Sequence, residues 1–174
     1  MENEYDFWEE LEKSQTPEVD ARVRKILPVI FAEKNCIVKE IIKNEVDGND
    51  GGIDYRVIYN NSKVANIDIK NRDWNFSATK DLTFELLSVV ESNKIGWSLD
   101  RTKQTDLILW LYNDFYHICY FPKLVKVFTA NKNKWVDEFS QNIRTQFTKS
   151  YGGYKSKSIF IPFDIWQAEY KKAI

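Results

Sequence analysis

Two acids and a lysine in one short region have the side chains that phosphodiester hydrolysis requires. Asp68 and Lys70 lie two residues apart, and Asp54 comes shortly before them. In a β-strand, alternate side chains share a face, so Asp68 and Lys70 project from one side. Two neighbouring carboxylates repel each other unless a cation lies between them, and Mg²⁺ accepts such oxygen ligands while keeping bound waters. With a lysine beside them to orient water and stabilise charge on a phosphoryl oxygen, these groups form a site for phosphodiester hydrolysis.

The segments that contain these residues have the pattern of a β-hairpin. Ile53–Tyr59 and Val64–Lys70 both alternate between the two faces of a strand, and the turn-forming residues Asn60–Lys63 join them. The glycine-rich run Val46–Gly52 precedes the hairpin and predicts a loop.

The length of the hairpin loop decides which residue lies opposite Asp54. A four-residue loop, Asn60–Lys63, would place Asp54 opposite Ile69, on the wrong face. A three-residue loop or one bulged residue would place Asp54 opposite Asp68 or Lys70. We therefore predict an odd loop or a bulge.

The rest of the chain predicts one α/β (mixed α+β) domain, because no linker divides residues 1–174. A helix is expected from Thr16 to Lys34, with Thr16 as its cap and Pro17 in its first turn. The other expected elements are a short amphipathic stretch Tyr5–Leu11, strands Cys36–Ile42, Leu82–Glu91, Leu107–Tyr112, Tyr116–Phe121 and Ser158–Pro162, partly helical segments Lys123–Asn131 and Lys134–Phe147, and a terminal helix Phe163–Lys172.

The pattern Asp54 … Asp68-Ile69-Lys70 resembles the PD-(D/E)xK nuclease superfamily, which includes many restriction endonucleases, Holliday-junction resolvases and phage exonucleases. The resemblance covers about residues 16–112, and residues 113–174 would complete the domain. It implies a central mixed β-sheet with an αβββαβ-type, restriction-endonuclease-like core flanked by helices. The sequence departs from the pattern in two places: Ile53 replaces the proline, and the second acid is Asp rather than the commoner Glu.

The resemblance also implies roles for individual residues. Asp54 and Asp68 would bind Mg²⁺, for which Mn²⁺ could substitute, and the carbonyl of Ile69 would be a further ligand. Lys70 would be the catalytic lysine.

Many members of the superfamily add an acidic residue from the first helix. Asp20 and Glu18 are the candidates here. Asp20 precedes Val23 and Leu27 by three and seven residues, so it flanks the apolar stripe of this helix. We therefore expect Asp20, rather than Glu18, to be the third acid that binds metal or supports the water.

The segment after the lysine strand contains two candidate nucleic-acid contacts, Arg72 and Trp74. Arg72 could contact a phosphate and Trp74 could stack on a base. Aromatic residues that only anchor a loop to the core explain the same pattern equally well.

Other candidate contacts lie further along the chain. Lys103 and Gln104 precede a strand, and related nucleases sometimes place a polar helper there. Lys155 lies in Thr148–Lys157, a basic segment with interleaved aromatic residues, which is typical of DNA-backbone contact and also of a solvated loop.

Composition excludes several classes of protein. The net charge of -1 argues against a strongly basic coat protein. A single histidine, His117, and two cysteines, Cys36 and Cys119, leave no basis for a multi-histidine site or a zinc cluster. His117 lies in an aromatic strand and is expected to be structural. No membrane span is expected and the acidic N-terminus is unlike a secretory signal, so we expect a cytoplasmic protein.

These observations predict a Mg²⁺-dependent deoxyribonuclease, with DNA as its partner and a homodimer as a possible assembly. Two alternatives stay open. The first is a catalytically inactive DNA- or protein-binding module of the same fold, of a kind that would act in phage–host conflict. The second is an unrelated α+β domain that contains Asp-Ile-Lys by chance.

Overall fold

The computed structural model describes residues 4–5, 16–44, 52–148 and 153–173, with residues 4–5 described by their backbone alone. Most of the predicted stretch Tyr5–Leu11, the glycine-rich run up to residue 51 and the centre of the basic segment at 149–152 lie outside these ranges.

The described residues form ten strands, four α-helices and two short 3₁₀ turns. The strands are β1 (Glu4–Tyr5), β2 (Val38–Lys43), β3 (Tyr55–Tyr59), β4 (Lys63–Asn71), β5 (Asp81–Val89), β6 (Lys94–Ile95), β7 (Leu107–Leu111), β8 (Tyr116–Tyr120), β9 (Ile143–Thr148) and β10 (Tyr154–Pro162). The helices are α1 (Pro17–Ala32), α2 (Phe76–Thr79), α3 (Phe121–Glu138) and α4 (Phe163–Lys172), and the 3₁₀ turns are Trp97–Leu99 and Ser140–Asn142.

The strands form two five-stranded sheets. Sheet I has the order β2-β3-β4-β7-β8, in which β4 and β7 are parallel and the other pairs are antiparallel. Sheet II has the order β1-β9-β10-β5-β6, in which only β1 and β9 are parallel. The α/β class is therefore confirmed.

The predicted odd loop of the β3–β4 hairpin is confirmed. Tyr59 pairs with Lys63, so the loop has three residues. Its first and last residues, Asn60 and Ser62, have φ angles of 41° and 68°, which close the tight turn. The pairing ends at Tyr55 opposite Ile67, and the Asp54 N–H donates to the Ile67 carbonyl at 2.9 Å, so Asp54 lies at the same end of the hairpin as Asp68.

The two faces of sheet I pack against different layers. On one face, Val57 and Ile67 pack against the apolar side of α1. On the other face, Trp110 packs against Phe84 of sheet II, together with residues of α3 and α4. Because β4 and β7 pair Asp68 with Ile108 and Lys70 with Trp110, both polar side chains lie on the face toward sheet II.

Four details of the predicted architecture need correction. The described residues form two sheets instead of one central sheet. Between β4 and β7, where the resemblance implies a helix, residues 72–106 contain the four-residue α2, the β5–β6 hairpin and a 3₁₀ turn. Residues 143–147, predicted as partly helical, belong to strand β9, and β10 begins at Tyr154 rather than Ser158. The physical reason is long-range pairing: β9 pairs with β10 and β10 with β5, which overrides the local pattern.

Within the ranges described, none of the helices has the length and apolar character of a membrane span.

Candidate active site

Asp68 lies at the centre of a polar cluster inside the domain. Its side chain is almost fully buried, with Oδ1 2.6 Å from Lys70 Nζ and Oδ2 2.8 Å from Lys103 Nζ. Strand β4 supplies Asp68 and Lys70, and the loop before β7 supplies Lys103. Burial opposes ionisation of Asp68, but the two ammonium groups hold its pKa below the ordinary value.

Asp54 completes this cluster from the start of the neighbouring strand. Its Oδ2 accepts a hydrogen bond from the backbone N–H of Ile69 at 2.6 Å. Burial and the negative charge of Asp68 raise the pKa of Asp54 to about 6, although Lys70 and Lys103 act in the opposite direction. The structure therefore brings together Asp54, Asp68 and Lys70, as the hairpin register predicted.

Gly52 makes room for Lys103. Its φ of +78° is in the region that favours glycine, and a Cβ there would lie 2.0 Å from Lys103 Nζ. The Thr105 hydroxyl donates a hydrogen bond to the Gly52 carbonyl at 3.3 Å, which ties the glycine to the segment that carries Lys103. Lys103 and Gln104 were the two candidates for a polar helper near the site. The ion pair of Lys103 with Asp68 shows that Lys103 is the one that reaches the cluster.

Trp97 covers Lys70 from the connection between the sheets. The Lys70 ammonium lies 4.8 Å from the centre of the indole ring, within the range of a cation–π interaction. Trp97 is itself packed against Phe84 and Trp110. This role could not be predicted from the sequence, because no pattern there separates Trp97 from the other tryptophans.

Asp20 does not join the cluster, which corrects the expectation for a third acid. Its Oδ1 accepts a hydrogen bond from the Tyr55 hydroxyl at 3.0 Å, and its Oδ2 lies 2.9 Å from Arg24 Nε. Partial burial works against ionisation of Asp20, but these two partners lower its pKa. Tyr55 alternates with Asp54 along β3, so it draws Asp20 to the face of sheet I that packs on α1. Glu18 is exposed in the first turn of α1.

Arg72 and Trp74 have partners inside the domain. Arg72 Nε donates to the Thr83 hydroxyl at 3.3 Å, and its guanidinium lies 5.7 Å from the centre of the Trp74 ring. Trp74 packs edge-to-face on Tyr112. These contacts anchor the loop after β4 to the core.

The two remaining DNA-contact candidates lie at separate places. Gln104 is exposed, and its backbone carbonyl accepts a hydrogen bond from Asn66 Nδ2 at 3.0 Å. Lys155 lies within β10 instead of a loop, and its backbone N–H donates to Glu91 Oε2 at 3.1 Å. The reason is the early start of β10, which takes Lys155 into sheet II.

His117 has the surroundings of a structural residue. It lies among the rings of Trp110, Phe163 and Trp166, and burial lowers its pKa to about 4. Its Nε2 accepts a hydrogen bond from Trp166 Nε1 at 3.4 Å.

The cluster contains oxygen atoms of the chemical type that Mg²⁺ prefers as ligands. In the described part of the chain, no three acidic, histidine or cysteine side chains are grouped so that they could hold a metal. Asp54 and Asp68 supply two carboxylates, and the carbonyl of Ile69 points to the same side of β4 as its N–H, toward Asp54. Mg²⁺ needs only one or two protein carboxylates, because it keeps several waters. Binding would require Asp68 to exchange at least one ammonium partner for the ion.

Comparison with protein-family models, curated proteins and solved structures gives no match to this chain.

Proposed function

We propose that the chain is a Mg²⁺-dependent deoxyribonuclease that hydrolyses DNA phosphodiester bonds by the PD-(D/E)xK mechanism. The observation that carries the proposal is the meeting of two carboxylates and a lysine at adjacent strands: Asp68 lies 2.6 Å from Lys70, and its charge helps to raise the pKa of Asp54 to about 6. Perturbed, coupled groups of this kind are characteristic of functional sites.

In this proposal, each polar group of the cluster has a role. Asp54, Asp68 and the carbonyl of Ile69 would hold the ion, which when bound supplies a Lewis acid beside the scissile phosphate. Lys70 orients the attacking water and stabilises the negative charge that develops on the phosphoryl oxygens. Trp97 keeps the Lys70 ammonium beside Asp68.

With DNA as the substrate, the proposal includes a cytoplasmic location. A homodimer would bring one active site to each strand of a duplex, so the proposal includes a homodimer on duplex DNA.

The test is cleavage of linear, circular and branched DNA with and without Mg²⁺. Asp68→Asn and Lys70→Ala should each lower the Mg²⁺-dependent rate by about 100-fold or more, because each removes a charge that acts in the transition state. Lys63→Ala is the matched control, since Lys63 is exposed at the start of the same strand. Thermal unfolding of each variant shows that the fold is retained, and full activity of either site variant would contradict the proposal.

One observation favours a second candidate, a non-catalytic binding module of the same fold. Asp68 already has two ammonium partners, so the cluster of two acids and two lysines is balanced without a metal. Calorimetric titration with Mn²⁺ or Mg²⁺ separates the candidates. A nuclease binds the ion and loses that binding on Asp54→Asn, whereas the module binds no metal.

A further inference from the structure

A cavity of about 540 Å³ opens beside the polar cluster, between the loop before β7 and the first turns of α3. Its volume is within the range of about 300–1,000 Å³ that is usual for small-ligand sites. The α3 residues that line it share one helical face, at the spacing i, i+3, i+4, i+7 and i+8: Pro122, Val125, Lys126, Thr129 and Ala130. The loop contributes Arg101 and Lys103, and Phe121 completes the lining.

The lining of this cavity combines basic and apolar residues. Arg101 and Lys126 supply two positive charges beyond that of Lys103, whose ammonium is paired with Asp68, and none of the residues that line the cavity is acidic. The net charge of the whole chain is -1, so this concentration of positive charge is local. Pro122 and Val125 supply apolar surface. A ligand that matches this lining carries a phosphate joined to a less polar body, as a nucleotide does.

Lys103 connects the cavity to the cluster. Its side chain lines the cavity, while its Nζ lies 2.8 Å from Asp68 Oδ2. A phosphate bound at the cluster and a nucleotide bound in the cavity would therefore lie on either side of one lysine. Successive phosphates of a single DNA strand are neighbours along its backbone, about 3.4 Å apart along the helix axis, so adjacent binding sites suit adjacent nucleotides.

We propose that the cavity binds the nucleotide next to the scissile phosphate of the DNA strand, with Arg101 and Lys126 contacting its phosphate. The identification of the strand as the substrate rests on the proposed nuclease function. The basic lining itself, however, predicts binding of a DNA strand whether or not the strand is cut.

The test measures binding without cleavage. Fluorescence anisotropy in EDTA follows binding of a labelled single-stranded oligonucleotide, and separately of the same sequence as a duplex. Arg101→Ala and Lys126→Ala should each weaken binding of the single strand by about tenfold, because each removes a charge-assisted hydrogen bond. Each should also reduce the slope of log Kd against log salt concentration by about 1, the change expected for the loss of one phosphate contact.

Lys134→Ala is the matched control, because Lys134 is exposed on the same helix and does not line the cavity. Its affinity and salt dependence should equal those of the parent. Unchanged binding by both cavity variants, a parent that does not bind DNA, or an equal loss in Lys134→Ala would each overturn the inference. A parent that binds through Arg101 and Lys126 but does not cleave with Mg²⁺ would contradict the nuclease proposal alone. Cleavage with unchanged binding in the cavity variants would contradict the cavity alone.

Discussion

Two carboxylates lie on opposite faces of the β3–β4 hairpin, and their surroundings differ: Asp20 has partners that favour its charge, whereas Asp54, a residue of the proposed site, is placed where its charge is disfavoured. On the face toward α1, one oxygen of Asp20 accepts a hydrogen bond from the Tyr55 hydroxyl and the other pairs with the Arg24 guanidinium, and the pKa of Asp20 is lowered. On the face toward sheet II, Asp54 is buried near a second carboxylate, and its pKa is raised to about 6.

The difference shows what each acid contributes to folding. Asp20 has partners that favour its charged form, so ionisation stabilises the fold. Asp54 is placed where its charged form is disfavoured, and the rest of the domain must compensate for that cost. Natural proteins retain such unfavourable groups mainly where function needs them. This contrast is a stronger argument for a site at Asp54 than closeness of charged groups alone.

The sharpest test of the contrast is the sign of two stability changes. The pKa of Asp54 in the folded chain is above its ordinary value of 3.8, so the folded state holds more protons between about pH 4 and 6 and loses stability as the pH rises. Asp54→Asn should therefore raise the free energy of unfolding at pH 8 by up to about 3 kcal/mol, and the gain should vanish below about pH 4. Denaturant unfolding across this pH range is the measurement.

Asp20→Asn should have the opposite effect in the same assay. The pKa of Asp20 is lowered in the folded chain, so its stabilisation is present at neutral pH and is lost as the pH falls through the folded pKa. The substitution should cost about 1 kcal/mol at pH 8, because the pair with Arg24 is half-exposed. Equal signs for the two variants would remove the distinction between the two acids.

Magnesium should sharpen the same contrast. If Asp54 and Asp68 hold the ion, Mg²⁺ at about 100 times its Kd should stabilise the parent by about 2.7 kcal/mol, measured by thermal unfolding. Asp20→Asn should keep this increase, since Asp20 lies outside the cluster, whereas Asp54→Asn and Asp68→Asn should lose it. A rise in all four proteins would indicate binding elsewhere, and no rise in the parent would favour the non-catalytic module.

The two acids also differ in how far the sequence could predict their positions. Alternation along β3 and β4 with an odd loop or a bulge predicted Asp54 on the face of Asp68 and Lys70, because strand register follows from local pattern and turn length, and the loop has three residues. The position of Asp20 on its helix was predicted correctly, beside the buried Val23 and Leu27. Helical spacing could not predict the contact with Tyr55, because Tyr55 lies in a strand 35 residues further along the chain. The Tyr55 hydroxyl donates a hydrogen bond to Asp20 and holds this carboxylate on the face of sheet I that packs on α1.

The connection from β4 to β7 was the least predictable region for the same reason. Phe84 of β5 pairs with Ile159 of β10, near the other end of the chain, and no local pattern records that pairing. Sheet II and the position of Trp97 both depend on it. Only the family resemblance suggested that Lys103 could contact the site. The space that Gly52 leaves for the Lys103 ammonium depends on the backbone of the folded chain.

Substitution of Gly52 should weaken the ion pair between Lys103 and Asp68, because the new side chain would occupy the position of the Lys103 ammonium. An alanine would have to adopt a φ of +78°, and its Cβ would displace the Lys103 ammonium, for a total cost of about 1–2 kcal/mol in the free energy of unfolding. Lys103→Met removes the same ammonium without changing the backbone. The two substitutions should therefore be less than additive in a double-mutant cycle, and strict additivity would show that Lys103 keeps its contact with Asp68 beside an alanine.

The smallest expected effect concerns the Trp97 ring, which covers Lys70 on the face of sheet I toward sheet II. Trp97 packs against Phe84 and Trp110 as well as against Lys70, so Trp97→Leu alone would mix lost packing with the lost cation–π contact. A double-mutant cycle of Trp97→Leu with Lys70→Met isolates the pair, and its coupling energy should be about 0.5–1 kcal/mol, because the ammonium is mostly shielded from water. A coupling of zero would mean that Asp68 alone positions Lys70. The same cycle with Lys63→Met should give no coupling, since Lys63 is exposed at the far end of β4.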